Sequence, residues 1–163
     1  MGTENFERMV KLAEEFFQTK NDPMQISVDE KTRKKLERIH PSTMAEFGNK
    51  DGPIAWALVI PTTLALMQQF CSKAIHERDL LERTPLNTEY EAVYLCSALV
   101  LPEYRRKGVA KGLVSKSIHS ILERHPIKYL FYWAFSKEGE KLARSLATEF
   151  DLPLLMREDR PAA

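Results

Sequence analysis

The chain has 163 residues, of which 44% are hydrophobic, and this size and composition predict one domain over residues 1–163 with a buried core and exclude a disordered protein. Its 24 Lys and Arg residues against 23 Asp and Glu residues give a formal net charge of +1. The chain therefore has no overall positive field for binding nucleic acid or an anionic membrane, and any anion site has to be local.

The amino-terminal segment predicts two helices. Apolar residues recur at helical spacing from Phe6 to Phe17, and the run Asn21 to Pro23 ends this helix. The short apolar stretch from Met24 to Val28 is compatible with a strand. Asp29 is placed to cap a second helix, which runs to about Ile39 and carries a basic outer face.

A hairpin is predicted next. The turn-forming residues 49–52 separate a strand at 42–48 from an apolar strand at 54–60. We expect Pro61 to end the second strand. Thr62 then caps a helix to about residue 72, which begins a helical insert over residues 62–85 with a further short helix near 76–82.

The second half of the chain alternates strands and helices. The apolar run beginning at Tyr129 is rich in aromatic residues, which favours a central strand covered on both faces. The predicted elements, in chain order, are a strand at 91–101, a polar loop at 102–107, a helix at 109–124, a strand at 129–135, a helix at 137–150 and a strand at 152–156.

The cysteines and histidines form no ligand pattern. Cys71 and Cys96 each lie in an apolar stretch, which predicts buried thiols in a reducing compartment. The four histidines lack the spacing of a zinc site, so we expect no metal. No apolar run is long enough to span a bilayer and the first residues are polar, which predicts a cytoplasmic protein with no membrane partner.

The most informative segment joins the strand at 91–101 to the helix that follows it. Four cationic side chains surround Gly108 in this segment, and the first N–H groups of a helix lack partners within the helix. The helix dipole adds positive charge at this end, and a glycine lets the backbone approach a ligand closely. These features predict a site for a phosphate or pyrophosphate group.

At these residues the sequence resembles the GNAT superfamily of acyl-CoA-dependent N-acyltransferases. The family signature is Arg/Gln-x-x-Gly-x-Gly/Ala between a strand and a helix, and Arg105-x-x-Gly108-x-Ala110 matches it. The likeness covers residues 91–156, whereas the helical insert is atypical. The resemblance implies an α/β (α+β) fold with a mixed, mostly antiparallel central sheet flanked by helices, in which two core parallel strands splay apart in a V.

The resemblance also implies acetyl-CoA as the cosubstrate, bound by two sets of groups. The backbone of Leu99, Val100 and Leu101 would hydrogen-bond the pantetheine arm as an added strand would. The loop and the first helical turn would bind the pyrophosphate, through the residues Arg105, Arg106, Lys107, Gly108, Val109, Ala110 and Lys111.

The implied reaction is direct attack of an amine on the thioester. It needs a base for the amine, a donor to the developing oxyanion and an acid for the leaving thiolate. By analogy, a backbone N–H near Val100 would be the oxyanion donor. Many family members place the acid on a Tyr in the helix that corresponds to 137–150, which contains no Tyr here. The candidates for the acid are Tyr132, Ser136 or a water, with a reaction that has no dedicated acid as the alternative. Those for the base are Glu89, Glu91 and Tyr94.

Three functions stay open from the sequence. The first is an acetyltransferase acting on the amine of a small molecule, a peptide or a protein, whose acceptor side is walled by the first two helices and the insert. The acidic residues there, Glu30, Glu46, Glu77 and Asp79, could attract a cationic amine or simply face solvent. The second is a non-catalytic CoA-binding sensor or assembly module, and the third, which the balanced charge weighs against, is RNA binding. An exposed insert or edge strand would allow a homodimer.

Overall fold

A computed structural model describes residues 3–20, 30–133 and 136–157 of the chain. The helices of this part are α1 (Thr3–Lys20), α2 (Glu30–Ile39), α3 (Leu64–Cys71), α4 (Glu77–Arg83), α5 (Val109–Leu122) and α6 (Lys137–Phe150), with a 3₁₀ turn at Pro102–Tyr104. The strands are β1 (Met44–Asn49), β2 (Gly52–Thr62), β3 (Ala92–Val100), β4 (Tyr129–Trp133) and β5 (Leu154–Arg157). The strand expected at 24–28, the capping residue Asp29 and the expected strand positions 134–135 lie outside the described residues.

The predicted hairpin is present. β1 pairs antiparallel with β2, and in the turn the Asp51 N–H donates to Asn49 Oδ1 over 2.9 Å. The prediction that Pro61 ends the second strand is wrong, because β2 continues through Thr62. The Val59 N–H donates to the carbonyl of Thr43, the residue before β1. Pro61, two residues further along β2, faces the same side, beyond the point where β1 begins. The missing N–H of proline therefore breaks no ladder bond there.

The helical insert forms as predicted, with its first cap moved by one residue. The Thr63 side chain, not that of Thr62, caps α3 by accepting the Leu66 N–H over 3.3 Å. Thr62 instead completes β2, and its hydroxyl oxygen lies 2.7 Å from Thr84 Oγ1. The Thr84 hydroxyl in turn donates to the Leu80 carbonyl over 2.7 Å, so the end of α4 is tied to the end of β2.

The sheet has the order β1-β2-β3-β4-β5 in the described residues. The β1–β2 and β2–β3 pairs are antiparallel and the β3–β4 and β4–β5 pairs are parallel, with the antiparallel ladders longer. The parallel β3–β4 ladder stops at Leu95 and Tyr132, whereas β3 runs on to Val100. The mixed sheet with two parallel strands that separate in a V is therefore confirmed.

Helices cover both faces of the sheet. Connections between adjacent parallel strands are right-handed, so α5 and α6, which link β3 to β4 and β4 to β5, lie on the same face and contact each other. The insert helix α3 packs on β3, β4 and β5, where the Phe70 ring contacts the rings of Tyr94 and Phe131 at centroid distances of 4.9 and 5.9 Å. The carboxyl end of β3 thus emerges between two helical layers.

Two glycines give a test of the packing around the sheet. A Cβ on Gly48 in β1 would lie 2.8 Å from the Gly52 carbonyl oxygen, whereas a Cβ on Gly112 in α5 would meet nothing within 4 Å. We expect Gly48→Ala to lower the free energy of unfolding by about 1–3 kcal/mol, because backbone has to move. Gly112→Ala should raise it by about 0.5–1 kcal/mol through helix propensity. Urea unfolding measures both, and equal effects at the two positions would contradict this packing.

Candidate acetyl-CoA site

The loop after β3 exposes a turn of backbone N–H groups. Gly108 caps α5 with φ 76° and ψ 10°, a left-handed conformation that favours glycine. The Gly112 N–H donates to the Gly108 carbonyl over 2.9 Å, so the N–H groups of Val109, Ala110 and Lys111 precede the first bond of the helix. A Cβ on Gly108 would meet no atom within 4 Å, so the space beside this residue is open.

The predicted cationic side chains surround this turn, but they are not equivalent. Arg105 Nε donates to the Val100 carbonyl over 2.9 Å, which holds the guanidinium against the end of β3. Lys111 Nζ lies 3.9 Å from a carboxylate oxygen of Glu149 on α6. Arg106 and Lys107 are exposed. The positive charge at the loop is therefore local, in a chain whose formal net charge is +1.

Among the described residues, the ladder between β3 and β4 has its last pair at Leu95 and Tyr132, and some backbone groups of β3 beyond Leu95 face away from β2. The Leu101 N–H donates to the Ile54 carbonyl on β2 over 2.9 Å, and the Leu101 carbonyl accepts the Tyr104 N–H over 2.9 Å. Because N–H groups alternate between the two sides of a strand, those of Val100 and Ala98 face away from β2.

Of the three residues predicted to pair with pantetheine, the geometry favours Val100. It does not favour Leu101, whose N–H and carbonyl are both used within the chain, or Leu99, whose backbone faces β2. Ala98 is the further residue whose N–H faces the open side, and sequence reasoning missed it. Because N–H groups alternate along a strand, the hydrogen-bond partner of one residue in this part of β3 would have been enough to identify Ala98.

A β-bulge marks the point where the two parallel strands separate. Leu58 on β2 pairs with Ser97 and the next residue, Val59, pairs with Leu95, so Cys96 is the extra residue on β3. Leu95 is also the last residue of β3 that pairs with β4. Because a bulge bends its strand and increases its twist, this one accompanies the departure of β3 from β4.

Two of the candidate catalytic residues lie at the vertex of this V. Tyr94 is fully buried, and its hydroxyl donates to Glu77 Oε2 over 2.5 Å. Burial, and after it the neighbouring Glu77 carboxylate, raises the pKa of Tyr94 well above its usual value, so the phenol is a neutral donor and a poor base at neutral pH. Tyr132 is on the last rung of the β3–β4 ladder, and its hydroxyl donates to Met156 Sδ over 3.3 Å.

The other candidates lie away from the vertex. Glu91 immediately precedes β3, four residues before Leu95, so at about 3.3 Å per residue it lies about 13 Å along the strand from the vertex, and its carboxylate is 2.9 Å from Lys128 Nζ. The geometry does not favour Glu91, or its neighbour Glu89, as the base. Ser136 caps α6, since its Oγ accepts the Gly139 N–H over 3.0 Å.

Glu77 is the residue whose position sequence reasoning misjudged. The sequence offered it as one of several carboxylates on the acceptor side, whereas the structure buries it completely against β3. Cys96 Sγ lies 3.7 Å from the same Oε2 that accepts the Tyr94 hydroxyl. No local pattern in α4 signals this burial, because it depends on α4 packing against a strand that is distant in sequence.

An ion pair joins the amino-terminal helix to the loop that follows β3. Arg8 on α1 donates to both carboxylate oxygens of Glu103, over 2.7 and 2.6 Å. This hydrogen bonding is the main cause that lowers the pKa of Glu103 to about 2. Next to this ion pair, Met9 is fully buried in a cluster with Ile54 and the end of β3. The position of α1 is thus coupled to the loop that follows β3.

The whole pattern agrees with a comparison against protein-family models, in which residues 7–150 match the acetyltransferase (GNAT) family. The chain therefore belongs to the GNAT family, and its function is of the acetyltransferase type. No curated protein and no solved structure gives a significant match to the chain.

Within residues 3–20, 30–133 and 136–157, no group of three or more His, Cys, Asp or Glu side chains could hold a metal ion. None of the helices described for the chain is long and apolar enough to cross a membrane.

The Arg8–Glu103 pair predicts an acid-sensitive contribution to stability. The pKa of Glu103 is lowered in the folded state, so the contribution is complete above about pH 4.5 and is lost as the pH falls towards about 2. We expect the urea midpoint of the wild type to fall more between pH 6 and pH 3 than that of Glu103→Gln. In an Arg8→Met background, Glu103→Gln should no longer change this pH dependence. If Glu103→Gln changes the pH dependence as much there as in the wild type, the effect comes from groups other than Arg8.

Proposed function

We propose that this protein transfers an acetyl group from acetyl-CoA to a primary amine by direct attack, without a covalent enzyme intermediate. The observation that carries the proposal is the succession of backbone donors from the N–H groups of Ala98 and Val100, which face away from β2, to the half-buried first turn of α5. One extended ligand with amides at one end and phosphates at the other would use all of these groups.

The diphosphate end fits the loop. The N–H groups of Val109, Ala110 and Lys111, together with the helix dipole, would bind phosphate oxygens, and Arg106 and Lys107 would add charge. The left-handed Gly108 and the empty space before it let the phosphates approach the main chain.

The pantetheine end fits the strand edge. Its two amides need hydrogen-bond partners wherever they are removed from water, and an extended arm beside β3 would find the N–H of Val100 as an added strand does. Arg105, which already donates to the Val100 carbonyl, would have to share or release that oxygen. The thioester would then lie near the bulge at Cys96, where β3 and β4 separate.

At that point the chain offers a donor for the reaction. As the amine nitrogen attacks, the C–N bond forms, the C–S bond breaks and the carbonyl oxygen gains negative charge. A backbone N–H fixed beforehand would stabilise this charge, and since the Val100 N–H is assigned to the pantetheine arm, the proposal gives this role to the N–H of Ala98, two residues away. The amine proton leaves to water or a base, and the thiolate takes a proton from water or from Tyr132.

A second candidate function is a non-catalytic CoA-binding module. It is favoured by the hydroxyl groups of Tyr94, Tyr132 and Ser136, each of which has a partner within the chain. Helix α6 also contains no Tyr to act as the acid.

Acetyl-CoA binding is tested best at Gly108. Asn and Asp both tolerate the left-handed conformation and have nearly the same shape, so Gly108→Asn and Gly108→Asp differ mainly by a negative charge beside the diphosphate. We expect Gly108→Asp to bind acetyl-CoA at least about tenfold more weakly than Gly108→Asn, which corresponds to about 1.4 kcal/mol. Isothermal titration calorimetry measures the affinities, and the urea midpoints of the two variants serve as the folding control. No binding by the wild type, or equal binding by the two variants, would reject the site.

Turnover separates the two candidate functions. We expect the wild type to release CoA continuously from acetyl-CoA when a panel of small-molecule amines and peptides with free amino groups is supplied, as followed by a thiol reagent. Gly108→Asp provides the background rate. Tight binding of acetyl-CoA with no release above this background across the panel would favour the non-catalytic module.

A further inference from the structure

Glu77 joins the helical insert to the strand that would hold the thioester. Its carboxylate is fully buried, and burial of a carboxylate is unfavourable unless donors reach it. The Tyr94 hydroxyl donates to Oε2 over 2.5 Å, and the Cys96 thiol lies 3.7 Å from the same oxygen. One carboxylate oxygen of Glu77 therefore contacts two side chains of β3.

These two side chains belong to residues at or next to the bulge. Tyr94 is on the part of β3 that still pairs with β4, and Cys96 is the extra residue itself. Beyond Leu95 the strand pairs with β2, and within residues 30–133 and 136–157 it has no pair on the β4 side, so the described sheet fixes the bend from one side. The contact with Glu77 supplies a constraint from outside the sheet at this position.

The helix that carries Glu77 is itself held at both ends. Arg157 is buried, donates from Nη1 to the Ile75 carbonyl over 2.6 Å, and lies 4.6 Å from the centroid of the Phe70 ring. This fixes the turn before α4. At the other end, Thr84 bonds α4 to β2. Glu77 therefore acts from a rigid support, as precise positioning of a neighbouring group requires.

We propose that Glu77 is a positioning residue for acetyl transfer, whose contacts with Tyr94 and Cys96 hold the bulge of β3 in the shape that aims the Ala98 N–H at the thioester carbonyl oxygen. The proposal rests on the proposed function, and it gives the helical insert a part in the chemistry although none of its groups touches the substrate. Glu77 should therefore affect the polarisation of the bound thioester and leave the affinity for acetyl-CoA unchanged, since the diphosphate cradle lies at the far end of the site.

Tyr94→Phe and Tyr90→Phe form a matched pair for the test. Each removes one buried hydroxyl and its hydrogen bond, since Tyr90 donates to the Pro85 carbonyl over 2.6 Å, but Tyr90 lies at the opposite end of β3. Both variants keep the ring and its packing, and both should lower the urea midpoint. We expect only Tyr94→Phe to speed amide hydrogen exchange at Cys96, Ser97 and Ala98 in the free protein, by about tenfold.

The second measurement uses acetyl-CoA labelled with carbon-13 at the carbonyl. The carbonyl resonance and stretching frequency of the bound thioester report how strongly a donor polarises it. We expect Tyr94→Phe to move both towards their values in water and to leave the dissociation constant unchanged, and Tyr90→Phe to change neither. Glu77→Gln keeps an oxygen that accepts the Tyr94 hydroxyl, so its change should be smaller than that of Glu77→Ala.

The outcomes separate this inference from the function on which it rests. If the wild type binds acetyl-CoA but Tyr94→Phe matches Tyr90→Phe in both bulge exchange and carbonyl signal, the positioning role is wrong and the proposed function stands. If the wild type binds no acetyl-CoA, both proposals are overturned. If Glu77→Ala does not fold, Tyr94→Phe still decides the result, because it leaves the core rings in place.

Discussion

The structure depends on an unequal pairing of one strand. β3 is hydrogen-bonded to β2 along its length, but its ladder with β4 stops at Leu95. A strand that was paired on both sides to its end would have no free N–H groups, and a loop that followed it would have no cleft in front of it. Among the described residues, the N–H groups of Ala98 and Val100 then face away from β2 with no described strand beside them, and β3 leads directly into the loop that ends at Gly108.

Most of the remaining structure supports this arrangement from outside the sheet. α1 is fastened to the loop by the Arg8–Glu103 pair, and α3 packs its Phe70 ring on the vertex of the V. α4 brings Glu77 to the bulge. The helical insert therefore contacts β3 at the bulge, next to the proposed reaction centre.

The hydroxyl groups near the cleft show how burial restricts chemistry. Tyr94 is fully buried beside a carboxylate, which raises its pKa and leaves it a donor to Glu77. Tyr132 is buried as well, and its hydroxyl donates to the Met156 thioether.

The sequence by itself determined the order and type of the described helices and strands, the hairpin turn and the glycine-containing loop before α5, because hydrophobic periodicity, capping residues and the Arg105-x-x-Gly108-x-Ala110 pattern are local signals. Only the tertiary structure decided the pairing of Leu101 with β2, the bulge at Cys96, and the burial of Glu77. Each of these depends on contacts between segments that are distant along the chain, and a strand's alternation does not say which neighbour a given N–H will face until the register is set.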